Sequence, residues 1–289
     1  MSQFHSSKFV LISAVLFLFL QSCSGGYQFT SGQQNIAAVP SFNGDSPTTL
    51  PTSSGESTGH GPVMSLPPGS DSPAPAQISS ICQFSGIDKI NWAAPLSNSA
   101  QLQNFNVVGQ SGNVDISVAD NVNMTGNSGK IFVVENAQSM SAFTGNSGNF
   151  IGNVRSFTSS SGNSGSMDLN SLEVGNISGS SSGHLCVWAH SIESVTGSSA
   201  GNISLKASSS TGSDASLGHV SGSSTGILVI TDMNVMSING GSGKMYLQGG
   251  HVQSISGQSG DIYIDGLTVD QITGSSGTIY LLNGGQVLN

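Results

Sequence analysis

Three segments of the form Gly-x-Ser-x-Gly could present a nucleophilic serine: Gly179 to Gly183 around Ser181, Gly197 to Gly201 around Ser199, and Gly222 to Gly226 around Ser224. That chemistry needs a strained strand-to-helix turn, a histidine base and an acid that orients it. Three serines at equivalent places cannot each own such a set, and each segment is a corner that recurs along the chain, lengthened by one residue. Asp261, Asp265 and Asp270 lie close together, with Lys244 one repeat below Asp261. They make either an acidic patch fit for acid–base work or a cross-coil Asp261–Lys244 ion pair. His184, His190, His219 and His251 stand at different repeat phases, so they do not converge on a metal. Gly240-Gly-Ser-Gly-Lys244 has Ile238 and Met245 where a phosphate loop needs glycine and a hydroxyl. The strongest candidates are Tyr246, Tyr263 and Tyr280, three flat amphipathic rings spaced 17 residues apart, of the kind sugar faces or protein partners pack against. Phe132, Ile151 and Val229 share their row, which a plain preference for β-formers would also explain. No catalytic residue, metal or cofactor is expected.

What positions these residues is a repeat. Gly240-Gly-Ser-Gly begins a 17-residue unit that recurs from Gly257 and again from Gly274, and the same corner opens at Gly222, Gly197, Gly179, Gly162, Gly145, Gly126 and Gly109. Each of these ten copies has Gly first and Ser third. A fixed period of this length means a solenoid. Counted from the glycine that closes each corner, +2 and +4 are apolar: Ile131 and Val133, Met167 and Leu169, Leu185 and Val187, Met245 and Leu247, Ile262 and Ile264, Ile279 and Leu281. Alternation with period two puts those side chains inward and +3, the tyrosine row, outward. Positions +9 and +12 are apolar again (Val174 and Ile177, Ile192 and Val195, Val252 and Ile255, Val269 and Ile272), and a spacing of three implies a bend. Serine at each corner is expected to form a hydroxyl ladder. The expected fold is all-β, a single-stranded parallel β-helix or β-solenoid of about ten coils of 17–19 residues. The coil at Gly145 is weak, with Gly152 at +4, and the copy at Gly197 carries extra residues near Ser208 to Asp214, expected to leave the rod as a loop.

Charge is sparse, 7% of residues, with 6 Lys or Arg against 15 Asp or Glu. Such a chain has no electrostatic footprint for nucleic acid or anionic lipid. Lys8 and the apolar run Phe9 to Leu20 form a signal-peptide pattern, too short to span a bilayer as a helix. Leu20-Gln21-Ser22-Cys23 at its end resembles a bacterial lipobox. The resemblance implies lipidation of Cys23, and Ser24 after it resembles lipoproteins sent to the outer membrane. Residues 1–22 are then a lipoprotein signal peptide, and 23–78, which hold eight of the nine prolines, a disordered Ser/Pro/Gly-rich tether. Residues 79–108, with a strand-like Ile87 to Trp92, are expected to cap the N-terminal end of a solenoid at 109–289.

Over roughly residues 105–289 the repeat style resembles the β-solenoid stems of filamentous-haemagglutinin-like surface adhesins. That resemblance implies a lipid-anchored envelope protein serving in adhesion, structure or partner binding, at the outer membrane and facing the periplasm or the surface. The membrane, through its lipid, and a glycan or envelope protein are the expected partners. The rival is a carbohydrate-active β-helix enzyme, whose relatives gather Asp, Lys and Arg on one outward face. No Gly-Gly-x-Gly-x-Asp calcium motif occurs. Cys82 and Cys186 are expected to stay unpaired, about 24 Å apart, unless the cap folds back along the +3 face. The chain stops part-way through the tenth copy, so its C-terminal face is expected to expose strand edges and to self-associate or dock a partner, the alternative being that Val287 and Leu288 fold across the end as a minimal plug.

Overall fold

All ten corner glycines, from Gly109 to Gly274, have φ between 62° and 68°, a backbone state that a Cβ disfavours. Ten corners enclose nine coils, and the computed structural model is an all-β solenoid of about nine turns. It describes residues 61–65, 82, 103–179, 183–197, 201–208, 214–223 and 226–288. These belong to one compact unit, Ser54–Asn289. The signal segment, Cys23, the segment 87–92 and the loop 209–213 lie outside the described residues.

The strands are β1 (Val63–Ser65), β2 (Asn104–Val108), β3 (Val114–Ile116), β4 (Ala119–Thr125), β5 (Ile131–Thr144), β6 (Asn149–Ser161), β7 (Met167–Ser178), β8 (Leu185–Ala189) and β9 (Ser191–Thr196). They continue as β10 (Ile203–Ala207), β11 (Ser216–Ser223), β12 (Ile227–Gly241), β13 (Lys244–Gln258), β14 (Ile262–Asp265), β15 (Thr268–Thr273), β16 (Ile279–Leu282) and β17 (Gln286–Val287). Pairing is parallel, coil on coil: Met245 beside Ile262 beside Ile279, and Val252 beside Val269 beside Val287. One core runs the length of the rod, and the expected inward residues at +9 and +12 are all within it.

Three successive corners are joined by asparagine, where a serine hydroxyl ladder was expected; of the corner serines, Ser259 donates its hydroxyl to Gly241 O in the coil below at 3.1 Å. Asn127, Asn146 and Asn163, the second residue of three successive corners, point inward and are buried. Asn127 donates through its backbone N–H (3.0 Å) and Nδ2 (2.8 Å) to Asn146 Oδ1, and the Asn146 N–H donates to Asn163 Oδ1 at 2.9 Å. The following serine contributes its backbone: the Ser147 N–H donates to Asn127 O at 2.9 Å. A carboxamide has both donor and acceptor, so it continues a ladder in two directions and leaves no buried lone group.

The alternation fails in one coil. Phe132 and Val134 are buried, whereas Ile131 is 41% exposed and Val133 half-buried. Phe132 sits beside Phe150, so the coil is one residue longer at its corner than its neighbours, and a slip of one turns each side chain to the other face. Phe132 therefore leaves the outward row. The weak coil with Gly152 is filled by the same rings. A Cβ on Gly152 would collide with the Phe150 ring, and Phe132, Phe143, Phe150 and Phe157 stack down the core with centroids 4.7 to 6.4 Å apart.

Two further expectations are corrected by a segment that folds back. Residues 61–65, assigned to the tether, form an added rung: Val63, Met64 and Ser65 pair with Ile279, Tyr280 and Leu281, and the Ile279 N–H donates to Pro62 O at 2.9 Å. The β16 edge expected to be open is thus taken by the chain's own β1. At the other side of that end, Val287 packs on the core and the Leu288 N–H donates to Val269 O at 2.9 Å, while the Leu288 side chain is 61% exposed. Cys82 and Cys186 form a disulfide, Cα to Cα 5.8 Å. The segment holding Cys82 therefore does not sit wholly at the N-terminal end; it reaches the outward row in mid-rod. Of the expected cap, 104–108 is β2, the first rung, beside β4.

Candidate functional site

The outward +3 row runs Asp115, Val133, Ile151, Asp168, Cys186, Ser204, Val229, Tyr246, Tyr263, Tyr280 and, from the folded-back strand, Met64. Five of these, from Asp168 to Tyr246, are buried although they point away from the core. The tyrosines stack as a ladder, with centroids 4.6 and 4.7 Å apart and planes within 16° and 10° of parallel. Tyr246, however, is only 2% exposed and packs with Val229, while Tyr263 and Tyr280 are half-buried. The row is an open platform only at its lower end. Burial pushes the Tyr246 phenol above its ordinary value, and the Asp261 carboxylate adds to this. Tyr263 is raised by burial first, then by Tyr246, Asp261 and Tyr280.

The acidic patch does not assemble. The Asp261 carboxylate accepts the Thr278 backbone N–H at 3.1 Å, Asp265 accepts from Asn283 Nδ2 at 2.7 Å, and Asp270 meets His251 Nε2 at 2.8 Å. Each is used by a different neighbour, and Lys244 does not take Asp261. His184 Nε2 lies 3.0 Å from Asp168 Oδ1, with Cys186 Sγ within 4.8 Å of both, but that sulfur is committed to Cys82. Ser181, Ser199 and Ser224 lie outside the described residues; the glycines opening their corners have the same φ as the other corners.

A concavity lies elsewhere, on the bend between +9 and +12. It is an open trough of about 760 Å³ crossing five coils, from Thr158 to Met236. Because inward residues there are three apart, two consecutive positions face out, and the backbone between them is bent. Gly175 and Gly218 lie on its floor, where a Cβ would collide with the carbonyl oxygens of Thr158 and Glu193 in the coil below. The inward neighbours Val174, Ile192 and Leu217 are paired in register, which sets Glu193 between the two glycines with no side chain beside it along the axis. Glu193 is exposed and oriented: Ser194 Oγ donates to Asn176 Oδ1, and Asn176 Nδ2 donates to Glu193 Oε2 at 3.2 Å. Glu173 and Asn234 stand on one wall. His219, whose Nδ1 lies 2.8 Å from Ser237 Oγ, stands on the other. Met236, 54% exposed, ends the floor.

Residue-type reasoning passed over Glu173 and Glu193 because they occupy different phases, +8 and +10. The available signal was the bend itself, since a spacing of three fixes where an outward concavity must fall. Comparison with protein-family models, with curated proteins and with solved structures returns no match to this chain.

Proposed function

We propose that this chain is an exported, lipid-anchored β-solenoid that serves as a binding rod of the bacterial cell envelope, in adhesion or in holding an envelope partner. The observation that carries the reading is the trough: a concavity five coils long, built on strands locked by coil-to-coil hydrogen bonds, with outward carboxylate, amide and imidazole groups. Rigid walls present such groups at low entropic cost on binding. The Cys82–Cys186 disulfide supports export, since such bonds persist in oxidising compartments. The lipobox-like Leu20 to Cys23 supports the anchor. The test is capture of envelope fractions by the full-length chain against Ser191→Trp, which fills the trough wall. Binding of envelope material by the parent and its loss in the variant support the rod. Equal capture by both, or none by either, refutes it.

A second reading is polysaccharide cleavage, and it is favoured by one observation: Glu173 and Glu193 line the same trough from adjacent coils. Two carboxylates flanking a glycosidic bond can act as acid and base. Release of reducing ends from envelope polysaccharide, abolished by Glu193→Gln, would establish it.

A further inference from the structure

We infer that the trough takes a linear glycan whose sugars carry free, protonated amines; this rests on the binding-rod reading above and names its ligand. The argument is one of charge, shape and hydrogen bonding. Among the described residues the lining carries two carboxylates, Glu173 and Glu193, and no lysine or arginine. A phosphate-rich, sulfated or uronate polymer would bring negative charge against them at a cost, whereas an ammonium group is attracted. The chain as a whole has the same sign, −9, so long-range steering also favours a cation.

Length and backbone chemistry narrow the class. Five coils set about 4.8 Å apart give a trough about 19 Å from first to last rung, and a β-linked hexose advances its chain by a similar step. A peptide would need a free strand edge or deep side-chain pockets. The trough supplies neither. Its floor strands β7, β9, β11 and β12 are each paired to the coils on either side, so none of them offers a free edge. What remains outward is side-chain chemistry that matches hydroxyl and amine groups: Glu173, Glu193, Asn234 and His219, with Met236 offering an apolar face to a sugar ring. Gly175 and Gly218 deepen the floor on either side of Glu193, so that an ammonium can approach Oε1 while Oε2 is held by Asn176.

The experiment is calorimetric titration of the full-length chain with a β-linked glucosamine hexamer, its fully N-acetylated counterpart and polylysine of similar charge. Parent protein is compared with Glu173→Gln/Glu193→Gln, whose fold is checked by its thermal midpoint. The expected result is binding of the glucosamine hexamer, at least tenfold weaker binding of the acetylated one, and at least a tenfold loss in the double variant, with affinity falling as salt rises. Equal binding of both hexamers removes the amine from the argument. Polylysine binding as tight as the glucosamine hexamer reduces the trough to an unspecific acidic surface and overturns the glycan. Unchanged affinity in a folded double variant overturns the site. Envelope capture sensitive to Ser191→Trp, without hexamer binding, would leave the rod standing and refute this ligand class.

Discussion

Cys82 is bonded to Cys186 across 104 residues of sequence, with their Cα atoms 5.8 Å apart. Cys186 belongs to the outward row of a middle coil, and its side chain is fully buried. Together with the pairing of Val63 on Ile279, the bond pins the segment before the solenoid at two places, one at the C-terminal rung and one in mid-rod. Closing a loop of that length restricts the unfolded chain strongly, so Cys82→Ser should lower unfolding free energy by about 2–5 kcal/mol. Denaturant midpoints of the two proteins measure this. Thiol titration of the unreduced, denatured parent should find neither Cys82 nor Cys186 reactive.

The asparagine ladder predicts a second, local cost. Asn146 Oδ1 accepts from Asn127 twice, and Asn146 Nδ2 donates to Met124 O at 3.2 Å, all away from solvent. Asn146→Ala would take the acceptor from the Asn127 backbone N–H and the side-chain donor from Met124 O, while Asn127 Nδ2 keeps Val107 O at 3.1 Å; each buried group left unpaired costs about 1–3 kcal/mol. Asn146→Asp keeps the acceptors but removes the donor and buries an unpaired charge, so at neutral pH it should be at least as destabilising as the alanine change. A chemical denaturation series of the three proteins ranks them; an alanine variant as stable as the parent would show the ladder to be incidental.

The register of the long-corner coil gives a paired test. Phe132 is fully buried among the stacked rings and Ile131 is 41% exposed. Phe132→Ala should cost about 3–5 kcal/mol, while Ile131→Ala should stay within about 0.5 kcal/mol. The opposite ranking of midpoints would restore the alternation read from the sequence.

These cases show what the sequence carried and what it withheld. Period-two alternation fixes which face is inward wherever corners have equal length, so Met245, Leu247, Ile262 and Ile264 fell where expected. It is blind to a one-residue change of corner length, which misplaced Ile131. The Gly-Asn-Ser-Gly corners were visible as a pattern, but a corner has no period, and nothing local says that Asn127 turns inward. The pairing of Val63 with Ile279 and of Cys82 with Cys186 joins distant parts of the chain, and short segments such as Gly61 to Ser65 carry too little pattern to announce a rung. The trough is a consequence of the bend that Val174 and Ile177 implied, yet its chemistry, on Glu193 and Asn176, emerges only when coils are set in register.

The added rung leads to a prediction about the C-terminal end. Gly61 stacks on Gly277 so closely that a Cβ would strike its carbonyl oxygen, and Pro62, without an N–H, suits an edge position. Gly61→Val should dislodge β1 and uncover the β16 edge with Ile279 and Leu281. Light scattering is expected to show concentration-dependent association in the variant and less in the parent. A variant that stays as dispersed as the parent would mean that β1 does not guard this edge.

The tyrosine ladder couples the stability of the fold to alkaline pH. Burial, with Asp261 second, holds the Tyr246 phenol above its ordinary value, and burial raises Tyr263 likewise. In the unfolded chain these phenols release their protons near pH 10. In the folded rod they keep them to higher pH. Between those two points the folded state binds more protons than the unfolded one, so stability falls as pH rises. The contribution is therefore complete below about pH 10 and is lost as pH climbs through the raised folded values. Tyr246→Phe/Tyr263→Phe keeps the stacked rings and removes both ionisable groups, so its urea midpoint should decline less between pH 9 and pH 11.5 than that of the parent. Identical declines would mean that groups other than this ladder set the alkaline limit.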